Sequence, residues 1–268
     1  MRITTGKWAA GWLIGLAAGA AHAQELGPFC ADRPGLGTPS CTIDPGHVVI
    51  EGGAFDWTLE REAGTRTDTI DAGDILVRAG ISTTLEAQIG WTAFGQVRVR
   101  DAAGGTTRTR GIGDIRLALR QNLTHPDGSG FSAAVMPFAT LPVGGEAIGA
   151  GDWGAGVIVP LQYDLGNGLG IALTPQVEAA VDADRRGRHP AYGTVVGLST
   201  ALSDALGAAL EFEATRDDDP TDPHDEARAS LSFAFQTRDD LQFDAGAVAG
   251  LNSHSPDLEL YIGIARRF

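Results

Sequence analysis

One local group in this chain carries a full hydrolytic set, Ser253-His254-Ser255 with Asp257. A serine activated by an oriented histidine would cleave an ester, and a membrane-embedded enzyme of that kind would act on lipid. Nucleophile and base must converge across space, however, and neighbours in one short loop seldom do. Cys30 and Cys41 aside, the remaining reactive side chains are scattered: His47, His125, His189 and His224 fall in loops or at strand ends. The acidic run from Asp217 to Glu226 offers carboxylates to a calcium ion but lacks spaced ligands and a turn glycine, so it reads as a solvated outer loop. Gly111-Ile112-Gly113-Asp114 has no helix after it, as a phosphate cradle requires, because Ile115 to Leu119 continues as strand. No catalysis, cofactor or metal is expected.

The other chemistry-bearing residues are charges that alternate with apolar residues. Arg78, Arg98, Arg116, Arg120, Glu178, Glu211, Glu213 and Arg228 occupy the register opposite residues such as Ile75-Val77, Ala87-Ile89 and Ile115-Leu117. On a strand, alternate residues point to opposite faces. If the apolar face meets lipid, these eight line a lumen, where rings of charge select solutes or pair and fill the space. The first four, on adjoining strands, would make a basic stripe suited to gripping a carboxylate.

The elements that would position them are β-strands. Leu258, Leu260, Ile262 and Ile264 alternate with polar or small residues up to Phe268, the pattern of a closing strand in an outer-membrane barrel. Twelve such stretches are expected, at approximately 47–61, 70–81, 84–98, 110–122, 131–142, 152–163, 169–181, 191–201, 206–215, 226–236, 241–251 and 257–268. Short turns follow the even-numbered strands (Ser82-Thr83, His125 to Gly130, Asp164 to Gly168, Leu202 to Ala205, Thr237 to Asp240). Longer connections follow most odd-numbered ones, including Val99 to Thr109, Val143 to Gly151 and Asp182 to Pro190. That alternation predicts an all-β, antiparallel up-and-down transmembrane barrel with short periplasmic turns and longer extracellular loops. Phe131, Tyr163, Phe235, Phe243 and Phe268 would sit at the periplasmic rim, and Trp57, Trp153 and Tyr192 at the outer one.

Ahead of the barrel, residues 1–23 have a basic start (Arg2, Lys7), an apolar run and an Ala21-His22-Ala23 end, the features of a cleaved signal peptide. Without them, 18 basic residues face 34 acidic ones, a charge near −16 that gives no reason to bind nucleic acid. Residues 24–46 form an N-terminal periplasmic segment, expected to tuck under or into the barrel mouth. Cys30 and Cys41, in a proline-rich loop, should pair in an oxidising periplasm.

Gly111-Ile112-Gly113-Asp114-Ile115, Leu141-Pro142-Val143-Gly144, and Gly250-Leu251-Asn252 through Ser255-Pro256-Asp257 to Gly263 and Arg267-Phe268 carry a resemblance. On these residues the chain resembles the outer-membrane transporter-like family known by the MetA pathway of phenol degradation, over roughly residues 70–268. The resemblance implies a barrel of about twelve strands in the bacterial outer membrane that passes a small solute. An organic or aromatic acid suits the basic stripe. Its partners would be outer-membrane lipid, the solute, and the barrel-assembly machinery acting through the strand ending at Phe268. Two alternatives stay open: a non-conducting structural or loop-binding barrel, and a lipid-modifying enzyme.

Overall fold

The structure, a computed structural model, describes residues 26–145 and 148–268. The expected signal peptide lies outside the described residues. Fourteen strand segments follow one another: β1 (Val48–Glu62), β2 (Thr65–Ser82), β3 (Leu85–Arg100), β4 (Thr106–Gly111), β5 (Ile115–Thr124), β6 (Phe131–Leu141), β7 (Gly154–Ile158), β8 (Leu161–Gly166), β9 (Leu169–Val181), β10 (Arg188–Ala201), β11 (Leu206–Asp217), β12 (His224–Arg238), β13 (Leu241–Gly250) and β14 (Leu258–Arg267). β4 and β5 share one place beside β3, and β7 and β8 share one between β6 and β9. The wall therefore has twelve antiparallel staves, and β1 closes it by pairing with both β2 and β14. Pro160 interrupts one stave because it has no N–H to give the ladder. At the other break, Gly113 turns its N–H to Thr92 O at 2.8 Å.

The apolar register points outward. Ile89, Leu117, Leu119, Ile171, Val196, Leu210, Leu231 and Ile262 are each more than 40% exposed. Such a belt is solvated by lipid, and it makes the chain an outer-membrane barrel. Phe131, Tyr163, Phe235, Phe243 and Phe268 are exposed at the end that carries the short turns, and Trp153 and Tyr192 at the opposite end. The interior is the reverse of a soluble core: its largest fully buried side chains are Arg78, Arg120, Glu51 and Glu86. Among the described residues, buried apolar side chains pack together in two small clusters, Cys30, Cys41, Ile43 and Val49 at one place and Ala118, Met136, Phe138 and Ile158 at another.

Around the first two outer connections the strands run further than their hydrophobic pattern suggests. β1 and β2 meet at a two-residue turn, Ala63-Gly64, with φ of 47° and 83°. That is the positive-φ pair a tight hairpin needs, so the eight residues expected to link the first two strands mostly extend the ladder. Likewise most of the connection expected from Val99 to Thr109 is strand, with β3 running to Arg100 and β4 starting at Thr106.

In the same region the register inverts. β1 shifts against β14 between Gly53 and Phe55, the mark of an extra residue, a bulge, in β1, and β2 and β3 follow β1 in unbroken register, the ladders skipping Gly73, with φ +67°, and Ala93 beside it. Above it, Arg98 lies opposite Asp68, Asp68 opposite Leu59, and Leu59 opposite Leu258, on the outward register of β14. Gly95, Asp71, Asp56 and Tyr261 form the inward row. Arg98 thus faces outward, which corrects the expectation that it lines the lumen. Simple parity counted from Glu86 fails there because one unpaired residue flips every side chain beyond it.

Candidate functional site

Residues 26–46 do not lie beneath the barrel; they form a strap inside it. Four prolines, Pro28, Pro34, Pro39 and Pro45, keep this segment out of a regular ladder, and so its backbone N–H groups need other acceptors. Inward carboxylates supply them. Glu51 accepts from the N–H of Asp32 at 2.9 and 3.0 Å and of Arg33 at 2.9 Å. Glu86 accepts from Ile43 at 2.8 Å, and Glu211 from Leu36 at 2.7 Å and Gly37 at 3.0 Å. The strap's carbonyls are met in turn: Arg78 Nη1 donates to Cys30 O at 2.8 Å, Arg120 Nη1 to Cys41 O at 3.1 Å and Asn122 Nδ2 to Ser40 O at 2.8 Å. The Cys30–Cys41 disulfide ties the strap's two limbs together.

Charge is balanced locally around it. Arg78 donates through Nε and Nη2 to Glu86 at 2.9 and 3.0 Å and through Nη1 to Glu51 at 3.1 Å. Arg120 pairs with Asp32 and with Glu86. Across the lumen, Arg33 forks onto Asp244 and lies over the Tyr261 ring. Two glycines allow these approaches. A Cβ on Gly80 would strike the Ile43 and Asp44 carbonyls, and one on Gly263 would strike the Arg33 guanidinium.

On the extracellular side of the strap the lumen changes character. The Arg116 guanidinium sits 3.8 Å from the Phe138 ring centroid, beside Ala118, Met136 and Ile158. Among the described residues no carboxylate lies within 4.0 Å of it, and the charges of Glu178 and Asp32 act on it from farther away. Opposite, Arg228 pairs with Glu213 and reaches Glu259 at 3.9 Å. The β6–β7 connection bends inward, where Asp114 accepts from the N–H groups of Gly144 and Ala150 at 2.8 Å each.

The predicted residues therefore divide. Arg78 and Arg120 face inward but are sealed by the strap, Glu211 holds the strap, Glu213 and Arg228 pair with each other, and Arg116 and Glu178 face the outer lumen. A continuous four-arginine stripe does not form. Glu51, Asp32, Arg33 and Phe138 were missed. Glu51 had a visible signal, a charge between Ile50 and Gly52 on the polar parity of the first strand; the strap residues had none. The hydrolytic group does not assemble. Ser255 Oγ donates to Ala227 O and Asn252 Oδ1, while the His254 ring stacks on His224 at 5.5 Å. At the outer rim His189 gathers Asp182, Asp217 and Asp219 within 4.0 Å. Asp219 already receives the N–H groups of Ala183, Thr221 and Asp222, so these acids close loops.

A closed twelve-stave barrel with a lipid-facing belt and a charged, strapped lumen is an outer-membrane barrel of the channel type in architecture. The chain belongs to the family described as "Putative MetA-pathway of phenol degradation", which matches residues 31–268. Among solved structures it is similar to the COG4313 outer membrane channel from Pseudomonas putida F1, with a TM-score of 0.68, 14% identity, and coverage of 88% of this chain and 100% of that one. The NanC porin is similar at TM-score 0.51 and 8% identity, covering 82% of this chain and 98% of that one. The translocator domain of the autotransporter NalP from Neisseria meningitidis is similar at 0.51 and 15%, covering 88% and 90%. These likenesses establish the fold. No protein of curated function matches the sequence.

Proposed function

We propose that the barrel passes small organic acids across the outer membrane, with aromatic acids the best-fitting class. Arg116 carries this reading. It is the inward arginine on the described staves that has no carboxylate within 4.0 Å, and it lies over an aromatic ring in an apolar corner. A guanidinium grips a carboxylate with two parallel hydrogen bonds, and an adjoining ring favours a flat, apolar body. Towards the periplasm, a cleft beside Pro34 is bordered by the small residues Ser199, Ala209, Ser232 and Ala234, which supports an exit on the β10–β12 side. The family's link to phenol degradation fits an aromatic solute.

A second reading rests on the strap, which crosses the lumen and satisfies its polar groups there: a non-conducting barrel that holds its ligand at the outer mouth. Planar-bilayer recordings in benzoate separate the two. Passage predicts a benzoate current that Arg116→Gln reduces by about tenfold, on the order of the loss of one charge-assisted pair. Absence of any current in the wild-type barrel supports the closed reading, and an unchanged current in the variant removes Arg116 from the path.

A further inference from the structure

Above the bulge, β1–β4 turn an unusual face outward. Six arginines, Arg61, Arg66, Arg98, Arg100, Arg108 and Arg110, share it. Arg66 lies directly opposite both Arg61 and Arg100, and Arg98 directly opposite Arg108. Like charges directly across a ladder are destabilising. Local acids answer only part of this charge: Asp68 takes a fork from Arg66 and a bond from Trp57 Nε1 and lies opposite Arg98, and Asp257 reaches Arg61 at 3.9 Å. Arg98, Arg100, Arg108 and Arg110 have no carboxylate within 4.0 Å among the described residues, and Arg98 Nε is buried without a hydrogen-bond partner. Arg110 donates only to Gln96 Oε1, at 2.8 Å. A chain this acidic gathers a third of its mature arginines here.

The height of the patch identifies what it meets. Outward residues on β3 are apolar through Ile89, Trp91 and Phe94, then become Gln96, Arg98 and Arg100. With ~3.3 Å of rise per residue and a strand tilt of ~40°, Arg98 stands about 10 Å beyond the last apolar ring, at headgroup level. At that level in the outer leaflet of this membrane are the phosphate groups of its glycolipid. We propose that this face binds the phosphorylated headgroup of the outer-leaflet glycolipid, with phosphate oxygens seated between the opposed Arg98 and Arg108 and within reach of Arg100. An anion between Arg98 and Arg108 converts their repulsion into two charge-assisted hydrogen bonds. Free polyanions such as acidic polysaccharide carry different chemistry and become an outcome of the test.

The experiment reconstitutes the full barrel in phosphatidylcholine vesicles containing bisphosphorylated lipid A, enzymatically dephosphorylated lipid A, or neither. Thermal unfolding is followed by the gel shift of the folded barrel. Bisphosphorylated lipid A is expected to raise the midpoint of the wild type, and the dephosphorylated form to leave it unchanged. Arg98→Ser/Arg108→Ser should abolish the rise and, without lipid A, should unfold at the same or a higher midpoint than wild type, since it removes an opposed pair. Arg238→Ser, at the periplasmic rim, should keep the full rise. Equal stabilisation by both lipid A forms, a full rise in the double variant, or a double variant less stable in plain vesicles would overturn the proposal. So would competition by soluble acidic polysaccharide that matches the effect of lipid A.

Discussion

Two groups of arginines on the same few staves behave in opposite ways. Below the bulge, Arg78 and Arg120 are fully buried, and their charges are met by Glu86, Glu51 and Asp32. Above it, Arg98 and Arg108 stand opposite each other on the outer surface, without a carboxylate within 4.0 Å among the described residues. Both groups belong to strands of ordinary alternation, and the residue type is the same. What separates them is one inversion of register at Gly73 and Gly53–Phe55. Arginine inside this barrel cements the strap to the wall, and arginine outside it is left available to an anion. The sign and setting of the surroundings decide the role.

The comparison is broken most severely by removing a buried member. Arg78→Ala leaves Glu51 and Glu86 facing each other in the lumen without their shared partner, and truncating one side of a buried pair costs about 3–5 kcal/mol. Urea unfolding in lipid vesicles should show that loss for Arg78→Ala and almost none for Arg100→Ala; similar losses at both sites would erase the distinction.

A smaller effect tests the wall that separates inside from outside. Leu117→Arg puts a charge into the belt at a cost of roughly 2–4 kcal/mol if it lies at the midplane. Its inward neighbour Ala118 packs against Met136, Phe138 and Ile158 and is 8% exposed. Ala118→Arg is therefore expected to destabilise as well, by overpacking of about 1–3 kcal/mol. Ala209, beside the cleft, should accept arginine far better than Ala118, and refolding yields of the three variants measure this order.

The smallest effect concerns a cation that has both burial and partners. Burial pulls the His189 pKa down, but its hydrogen bond with Asp182 and the charges of Asp217, Asp219 and Asp182 outweigh this and raise it. A raised folded pKa means that the contribution of the protonated ring is fully present below the ordinary value near 6.5 and is lost as pH climbs through the folded one. Protease cleavage of the loop after Val181 should accelerate in the wild type as pH rises above the ordinary histidine value. His189→Gln should cut at one rate across that rise; a wild type equally insensitive would dismiss the latch.

Much of this was legible beforehand, for a simple reason. A lipid-facing wall needs an apolar residue at every second position, and that demand is written into runs such as Leu258 to Ile264. The twelve staves and the alternating turns follow from it and from turn chemistry, and the Cys30–Cys41 pair follows from export to an oxidising compartment. The inversion at Gly73 was not legible. A lone glycine inside a strand hints at a bulge, but in a chain with 37 glycines the hint has no weight. Arg98 was misplaced for that reason alone.

The amino-acid sequence by itself determined the class of wall, its strand count and, away from the inversion, which residues meet lipid, because those depend on local periodicity and on the solvent outside. Only the tertiary structure decided what fills the inside. Whether Arg78 lines water or a strap depends on Cys30 O and Glu51, which are 48 and 27 residues away along the chain. No local pattern encodes such a meeting: it arises when closure of the barrel brings unsatisfied N–H groups of a proline-broken segment within reach of inward carboxylates, and each then satisfies the other.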